Sequence, residues 1–422
     1  MRKNNIVRYG CADTFKYVQN NSRVNKRNLI KPFILILLIL FALLVLFLGG
    51  GVWAFADTDG KAEINDNIKN LLDQLDLSEL QKFLDGDKDN YLFKFGSTAR
   101  EIVEYLISGN LNADYSGYLN ELFAVIFKDV IEMIPAFATV TAIALLSAVV
   151  TAAEGSIIGK SSTKIVRLAC CSLIILILTA MLVGIVSDCV SCINNIKRQV
   201  EIITPILATL TVLTGGTGSA AIYQPSAIFL SGGAVELVSC VIFPAAIAAT
   251  VFDIMSKLNP EMSFSGVTAL IKSVLKWVIG ITVTVFSIFI TVQSSASSLF
   301  DGIIFKATKF VVGNSVPIVG NFLSSGFDML TSAGLLIRSS VGLCGIILLL
   351  MEVIQPIILL VAFSTILKAV GAIVQPIGES VLYSLLSDLS KDVEYFVAGL
   401  LTVAFMYALL TMLIVNSANS FI

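Results

Sequence analysis

The chain has 422 residues, of which 56% are hydrophobic and 14% charged, with a formal net charge of −2 and a mean hydropathy of +0.89. Soluble globular domains carry about 25% charged residues, so this composition indicates a polytopic membrane protein and gives no basis for nucleic-acid binding. The sequence contains no histidine, which excludes imidazole-based catalysis and histidine-ligated metal centres. We therefore predict a protein that is not an enzyme and has no cofactor.

The N-terminus resembles an export signal. Residues 1–31 contain eight Lys or Arg and one acid, and an apolar run follows over residues 32–48. Ala54 and Ala56 then form an A-x-A cleavage signature. This pattern predicts a signal peptide over residues 1–56, although an uncleaved signal anchor fits the same run. In both cases the chain after residue 57 begins outside the cytoplasm.

Residues 57–128 form an acidic segment, with fourteen Asp or Glu against seven Lys or Arg. Apolar residues recur at helical spacing in three stretches, which predicts three short amphipathic helices in a small extracytoplasmic unit: Ile64 to Leu80, Ile102 to Leu106, and Leu119 to Ile126. The segment is either a cap on the membrane domain or a docking surface for another extracytoplasmic protein, and the two roles are compatible.

The sequence after residue 128 predicts an all-α membrane domain with about eight apolar segments. The length of each is close to the ~20 residues that a helix needs to cross a bilayer. They cover residues 134–153, 168–187, 203–221, 226–252, 277–299, 341–367, 369–387 and 396–415. Basic residues in 154–167 place that loop in the cytoplasm. Residues 253–276 also carry lysines but would lie outside if every segment spans, so one of 203–221 and 226–252 is a candidate re-entrant segment.

An internal repeat divides the membrane domain into halves at 129–252 and 253–422. A Glu-x-x-x-Pro-Ile pattern begins at Glu201 and again at Glu352, and an Ala-Ile-x-Gln-Pro pattern follows each at a constant offset of 151 residues. Four segments per half would make the halves parallel, whereas one re-entrant segment would make them inverted. Both arrangements occur in transporters and channels.

Carboxylates and prolines inside the apolar segments form the candidate conduit or ion site. An ionised carboxylate costs at least ~2.5 kcal/mol at the bilayer centre, so each should face protein or water. Helices broken by proline at matching places in two repeats suit an ion or substrate site, but kinks for packing explain the same prolines. The candidates are Glu201, Pro205, Gln224, Glu236, Glu352, Pro356, Gln375 and Glu379.

Two other motifs give weaker indications of function. Cys189 and Cys192 form a C-x-x-C pair without two further zinc ligands nearby, so packing or a redox pair are the interpretations that remain. The glycine clusters at 49–51 and 215–218 lack the lysine and the strand of a phosphate loop, so any use of ATP would need a partner.

Three stretches resemble a known family. They are Ser231 to Pro260, Leu275 to Ala296, and Lys306 to Gly342, which includes Lys306-Ala-Thr-Lys-Phe-Val-Val-Gly313. Together with the export signal and the acidic segment, they resemble the stage III sporulation protein AE family of endospore-forming Firmicutes. The resemblance covers about residues 115–418, and Ser294 stands where family members often have glycine.

The resemblance implies a multi-pass protein of the mother-cell membrane around the engulfed forespore. It implies a subunit of a channel or feeding-tube complex whose other membrane and ring-forming proteins resemble secretion-system components and include an ATPase. No catalytic residue follows from it. The alternative from the residues is a stand-alone secondary transporter that couples an ion through intramembrane glutamates. A transporter should move solute alone, whereas a channel subunit should be inert without partners.

Overall fold

The computed structural model describes residues 61–86, 98–108, 115–153, 160–258, 264–315, 320–377 and 380–416. Every described secondary-structure element is helical. The predicted signal peptide with Ala54 and Ala56, and the candidate residue Glu379, lie outside the described residues.

Three short helices form a cap: α1 (Lys61–Gln74), α2 (Ser78–Gly86) and α3 (Ala99–Ser108). The Ile64–Leu80 stretch is therefore two helices, because the chain breaks where Asp76 accepts a hydrogen bond from the Ser78 backbone N–H. The Ser78 hydroxyl and this N–H hold the pKa of the Asp76 carboxyl below its usual value. The apolar faces meet in a small core, which confirms the predicted helical period there: Ile68, Leu71, Leu72, Leu80, Leu84, Ile102, Val103 and Leu106.

Polar contacts hold the three cap helices together. Arg100 of α3 pairs with Asp73 of α1 and with Glu104 one turn later. The Ala99 N–H at the start of α3 donates to Gln81 Oε1 of α2 at 2.6 Å, which satisfies one of the exposed amides of a helix N-terminus. The cap is thus a small helical unit that packs on the long helices behind it.

Seven long or medium helices follow the cap: α4 (Tyr115–Ala152), α5 (Lys160–Leu213), α6 (Thr217–Ile228), α7 (Phe243–Leu258), α8 (Ser265–Ser315), α9 (Gly320–Val374) and α10 (Ser380–Asn416). Two π-helical turns, Phe229–Ala234 and Val238–Ile242, join α6 to α7 through Val235–Leu237. A 3₁₀ turn, Gln375–Ile377, joins α9 to α10. The predicted short helix at Leu119–Ile126 is the first part of α4.

Six helical stretches in the described residues are long and apolar enough to cross a membrane, fewer than the eight predicted. The predicted segments 168–187 and 203–221 differ from the structure because α5 continues without a break to Leu213. The segment 369–387 is the end of α9, the 3₁₀ turn and the start of α10. The six stretches are Lys128–Ala152, Thr163–Leu213, Gly218–Leu258, Ser265–Ala296, Thr331–Val374 and Val381–Asn416.

Side-chain contacts fix how the helices run. Asp129 and Phe137 of α4 meet Gln355 and Phe363 of α9, so these two helices are parallel. Helix α5 is antiparallel to α9, since Asn195 meets Glu352 and Thr211 meets Arg338. Helix α10 is antiparallel to α9, since Ser364 meets Ser390 and Arg338 meets Val415. It is also antiparallel to α7, since Phe243 meets Phe396 and Lys257 meets Asp388.

This arrangement brings the end of α4 and the start of α5, the end of α7 and the start of α8, and the end of α9 and the start of α10 to one end of the bundle, here called the hairpin end. The connection after α5, the end of α8 and the C-terminus of α10 lie at the opposite end. The lysines of 253–276 therefore share an end with those of 154–167. Because α5 is one continuous helix, the basic residues agree with the positive-inside rule without a re-entrant segment.

The core of the bundle is α10. Every residue from Tyr395 to Ala408 is buried, and α10 contacts α5, α6, α7, α8 and α9. A helix that is apolar on all sides is stable only when other helices surround it. The outer helices instead expose apolar side chains as lipid-facing helices do, including Leu176, Val183, Leu270, Trp277 and Val361.

We expect Gly345→Ala to lower the thermal unfolding midpoint of the detergent-purified protein. An alanine Cβ there would lie 2.9 Å from both Ile203 Cδ1 of α5 and the Tyr407 hydroxyl of α10. Overpacking of this kind costs about 1–3 kcal/mol. Gly280→Ala is the matched control, because a Cβ at Gly280 meets nothing within 4 Å. Equal midpoints for the two variants would contradict the close contact of α5, α9 and α10.

Candidate functional site

Glu352 lies at a polar contact between α9 and α5. Its carboxylate accepts a hydrogen bond from Asn195 Nδ2 at 2.6 Å. Pro356 lacks an N–H and leaves the Glu352 carbonyl without its usual helical donor, and the Cys192 thiol donates to that carbonyl at 3.4 Å. The C-x-x-C pair favours the packing interpretation, because Cys189 and Cys192 are both buried.

Glu201 and Pro205 lie apart from Glu352, on an exposed part of α5 that faces the cap. They line a cleft of about 800 Å³ between α5 and the cap helices α1 and α2. The cleft carries charges of both signs and an apolar floor: Asp76, Glu79, Lys82, Phe83, Arg198, Glu201, Ile202, Pro205 and Ile206. Asn195, which donates to Glu352, also lines this cleft, whereas Glu352 itself does not.

Glu236 pairs with Lys197 of α5 at 2.9 Å. It lies on the turn between the two π-helical turns, which interrupt the regular α-helix on both sides of it. Single π-helical turns inside α-helices are frequent at functional sites. Gln224 is an exposed residue of α6, whereas Gln375 is exposed in the 3₁₀ turn at the hairpin end. The two Gln-Pro pairs thus lie in different structural settings, and the internal repeat stays a prediction.

Three polar pairs share one level of the bundle: Asp129 with Gln355, Asn195 with Glu352, and Lys197 with Glu236. We call these six residues the polar belt. Helix α9 runs 22 residues from Glu352 to Val374, which is about 33 Å at 1.5 Å per residue. The distance from the polar belt to the hairpin end is thus close to the ~30 Å thickness of a bilayer core.

The most buried carboxylate among the described residues, that of Asp392, lies between the polar belt and the hairpin end. Asp392 of α10 is 1% exposed and pairs with Lys272 of α8, which also pairs with Asp253 of α7 at 2.6 Å. We call Asp253, Lys272 and Asp392 the buried triad. One ammonium group thus pairs with two carboxylates that come from two different helices, which leaves one negative charge in excess if both are ionised.

A second charged cluster adjoins the buried triad one turn nearer the hairpin end. Lys257 of α7 contacts Asp388 of α10 at 3.1 Å and the Ser384 hydroxyl at 2.5 Å. Asp388 also accepts from Lys391 at 2.8 Å. Lys368 of α9 pairs with Glu394 at 3.6 Å. Together with the buried triad, these charges connect α7, α8, α9 and α10.

Arg338 is a fully buried cation near the opposite end. Its Nη2 donates to the Val415 carbonyl in the last turn of α10 at 2.5 Å, and its Nη1 contacts Thr211 Oγ1 of α5 at 3.3 Å. The last carbonyls of a helix lack partners within the helix and carry partial negative charge. Arg338 therefore joins the ends of α5 and α10 to α9.

Neither the buried triad nor Arg338 is among the candidate residues that the sequence indicates. Lys272 and Asp253 lie in 253–276, between two predicted apolar segments, and Asp392 likewise lies between two such segments. The signal was present in the charge pattern, because acids and lysines recur three or four residues apart near the ends of three apolar helices: Asp253, Lys257, Lys272, Lys276, Asp388, Lys391 and Asp392.

The chemistry of these groups is electrostatic. Among the described residues, no group of three or more His, Cys, Asp or Glu is arranged to hold a metal ion. The carboxylates of the triad have an ammonium group between them, an arrangement that can hold or exchange a proton.

Comparisons with known proteins agree on one family. A family model described as Stage III sporulation protein AE matches residues 97–418. The Stage III sporulation protein AE of Bacillus subtilis (strain 168) is 26% identical over 317 residues, which cover 74% of this chain and 78% of that protein. No solved structure matches the chain. With three quarters of its length matched, this multi-pass membrane chain belongs to the stage III sporulation protein AE family.

Proposed function

We propose that the chain is a non-enzymatic membrane subunit of the channel complex between mother cell and forespore, where it supports forespore development after engulfment. The observation that carries this proposal is the family match over residues 97–418. The long buried α10 and the separate cap support a scaffold that other membrane and ring-forming proteins bind. Any energy from ATP would come from such partners.

The proposal places the bilayer between the polar belt and the hairpin end. The cap carries exposed charges at Glu79 and Lys82 and packs beside α5 near Glu201, so that part of α5 lies in water. Residues of α5 beyond the polar belt, from about 201 to 213, then extend outside the bilayer with the cap. The hairpin end lies in the cytoplasm of the mother cell, and the cap lies in the space between the two cells.

Cysteine labelling from either side of the membrane should confirm this topology. In a variant without native cysteines, we expect Lys69→Cys in the cap to react with an impermeant maleimide from outside. Lys164→Cys and Gly266→Cys, both exposed near the hairpin end, should react only from the cytoplasmic side. Gly266 distinguishes the two topologies, because eight spans would place it outside. Labelling of Gly266→Cys from outside would contradict the six-span arrangement.

Deletion of the gene in its spore-forming host tests the function. We expect normal vegetative growth, completed engulfment and a loss of heat-resistant spores, with arrest after engulfment visible by membrane staining. Complementation by the full chain should restore spores, and complementation by a chain without residues 57–108 tests the need for the cap. Normal spore formation by the deletion strain would contradict the proposal.

The second candidate is a stand-alone secondary transporter, which the buried triad favours because charged groups inside a membrane bundle often mark ion pathways. Purified protein in liposomes distinguishes the two. A channel subunit without partners leaves an internal pH-sensitive dye unchanged when a proton gradient is applied. A transporter alone changes that signal in the presence of its solute.

A further inference from the structure

We propose that the buried triad is a proton-binding site, with Asp392 as the group that takes up the proton. This inference goes beyond the sporulation function and holds whether or not the chain acts in a channel complex. It rests on the burial of Asp392, on the single ammonium group shared by two carboxylates, and on the position of all three residues within membrane-spanning stretches.

The first argument concerns the partners of Asp392. Its side chain is 1% exposed, and its Oδ2 atom receives no hydrogen bond from the part of the chain that the structure describes. A buried ionised carboxylate is stable only when paired and hydrogen-bonded. The Lys272 ammonium group lies next to Asp392 Oδ1, but it also pairs with Asp253 at 2.6 Å. The remaining oxygen of Asp392 is therefore where a proton is best accommodated.

The second argument concerns the kind of ligand. A metal cation between Asp253 and Asp392 would occupy the place that Lys272 Nζ already holds. Sodium or calcium would also need several oxygen ligands, and the described residues provide no cluster that could hold a metal ion. A proton needs one oxygen and displaces nothing, so the ligand class is a proton and not a metal ion.

The charged and titratable groups around the site come from four helices. Asp253 and Lys257 lie on α7, Lys272 and Lys276 on α8, and Lys368 on α9, while α10 supplies the rest: Asp388, Lys391, Glu394 and Tyr395. Asp388 pairs with Lys257 and Lys391, and Glu394 pairs with Lys368. Each of these acids has its own cation, whereas Asp392 and Asp253 share one.

Proton uptake has a structural consequence. A proton from water bonds to Asp392 Oδ2 and turns the carboxylate into a neutral acid, while Lys272 stays an ammonium ion paired with Asp253. The ionic contact between α8 and the central helix α10 is then lost, but the contact between α7 and α8 is kept. Asp253 and Lys272 are 13% and 20% exposed, so the triad is nearest the surface of the bundle on its α7–α8 side.

Infrared spectroscopy of the purified chain in lipid nanodiscs tests the site. We step the pH from about 8 to about 5, where exposed carboxylates remain mostly ionised. We expect the carbonyl band of a protonated carboxylic acid to appear in the wild type and to be lost in Asp392→Asn. The control is Asp388→Asn, one turn away on the same helix, which should keep the band.

A second variant keeps the test decisive even if Asp392→Asn does not fold. Asp392→Glu keeps an acid in place, and we expect it to keep a carboxylic-acid band at a shifted frequency. Circular dichroism confirms that each variant keeps its helix content. The proposal is overturned if the wild type shows no such band over this pH range, or if Asp392→Glu leaves the band at the wild-type frequency.

Discussion

Replacing Lys272 by methionine is expected to destabilise the folded chain by about 3–5 kcal/mol, because it leaves two buried carboxylates without their cation. Lys272 holds Asp253 and Asp392 on two other helices, and Asp392 is 1% exposed. The measurement is the thermal unfolding midpoint in detergent, followed by intrinsic fluorescence, together with the yield of protein that remains monodisperse on size exclusion.

The matched control for this prediction is Lys276→Met. Lys276 is exposed, lies one turn later on α8 and has the same side chain. Its replacement should change the midpoint little, since exposed charges contribute about 0–1 kcal/mol. The double variant Lys272→Met with Asp392→Asn should recover part of the lost stability, because it removes one of the two carboxylates left without a cation. Equal midpoints for Lys272→Met and Lys276→Met would contradict the buried triad.

Arg338→Met is expected to destabilise the chain by about 2–4 kcal/mol. The guanidinium is fully buried and donates to the Val415 carbonyl at the end of α10. Hydrogen bonds from charged donors contribute about 1.5–3 kcal/mol, and the carbonyl left behind would have to be desolvated without a partner. The thermal unfolding midpoint again measures the loss.

Arg338→Lys gives the second arm of that experiment. Lysine keeps the charge but lacks the planar fork that lets one side chain reach both Val415 and Thr211. We expect an intermediate midpoint, between the wild type and Arg338→Met. If all three proteins unfold at the same temperature, Arg338 does not connect the ends of α5 and α10.

The existence and type of the helices could be predicted from the sequence, but their lengths could not. Hydrophobicity divides α5 into two apolar segments, because Asn194, Asn195, Lys197 and Arg198 interrupt the run. The structure keeps one helix, since these polar side chains find partners without breaking the backbone: Asn195 meets Glu352 and Lys197 meets Glu236. Polar residues in the middle of this long helix thus indicate contacts with neighbouring helices and not a loop.

The candidate carboxylates show that the contacts of a site could not be predicted from the sequence either. Proline at 356 implies a Glu352 carbonyl without its helical donor, but the sequence could not show that the Cys192 thiol donates to it. Glu201 faces the cap, although its sequence pattern matches that of Glu352. The buried triad was missed because its members are far apart in sequence, and only the antiparallel packing of α7, α8 and α10 brings them together.

The size and composition of the particle that contains this chain test the central claim most directly. The tagged chain, expressed from its own promoter, is solubilised in mild detergent from sporulating cells after engulfment and analysed by native mass spectrometry. We predict an assembly much heavier than the 45.2 kDa chain, in which secretion-like ring-forming membrane proteins and an ATPase are present in fixed ratios. A particle that contains only this chain, and that moves solute across liposomes by itself, would contradict the account.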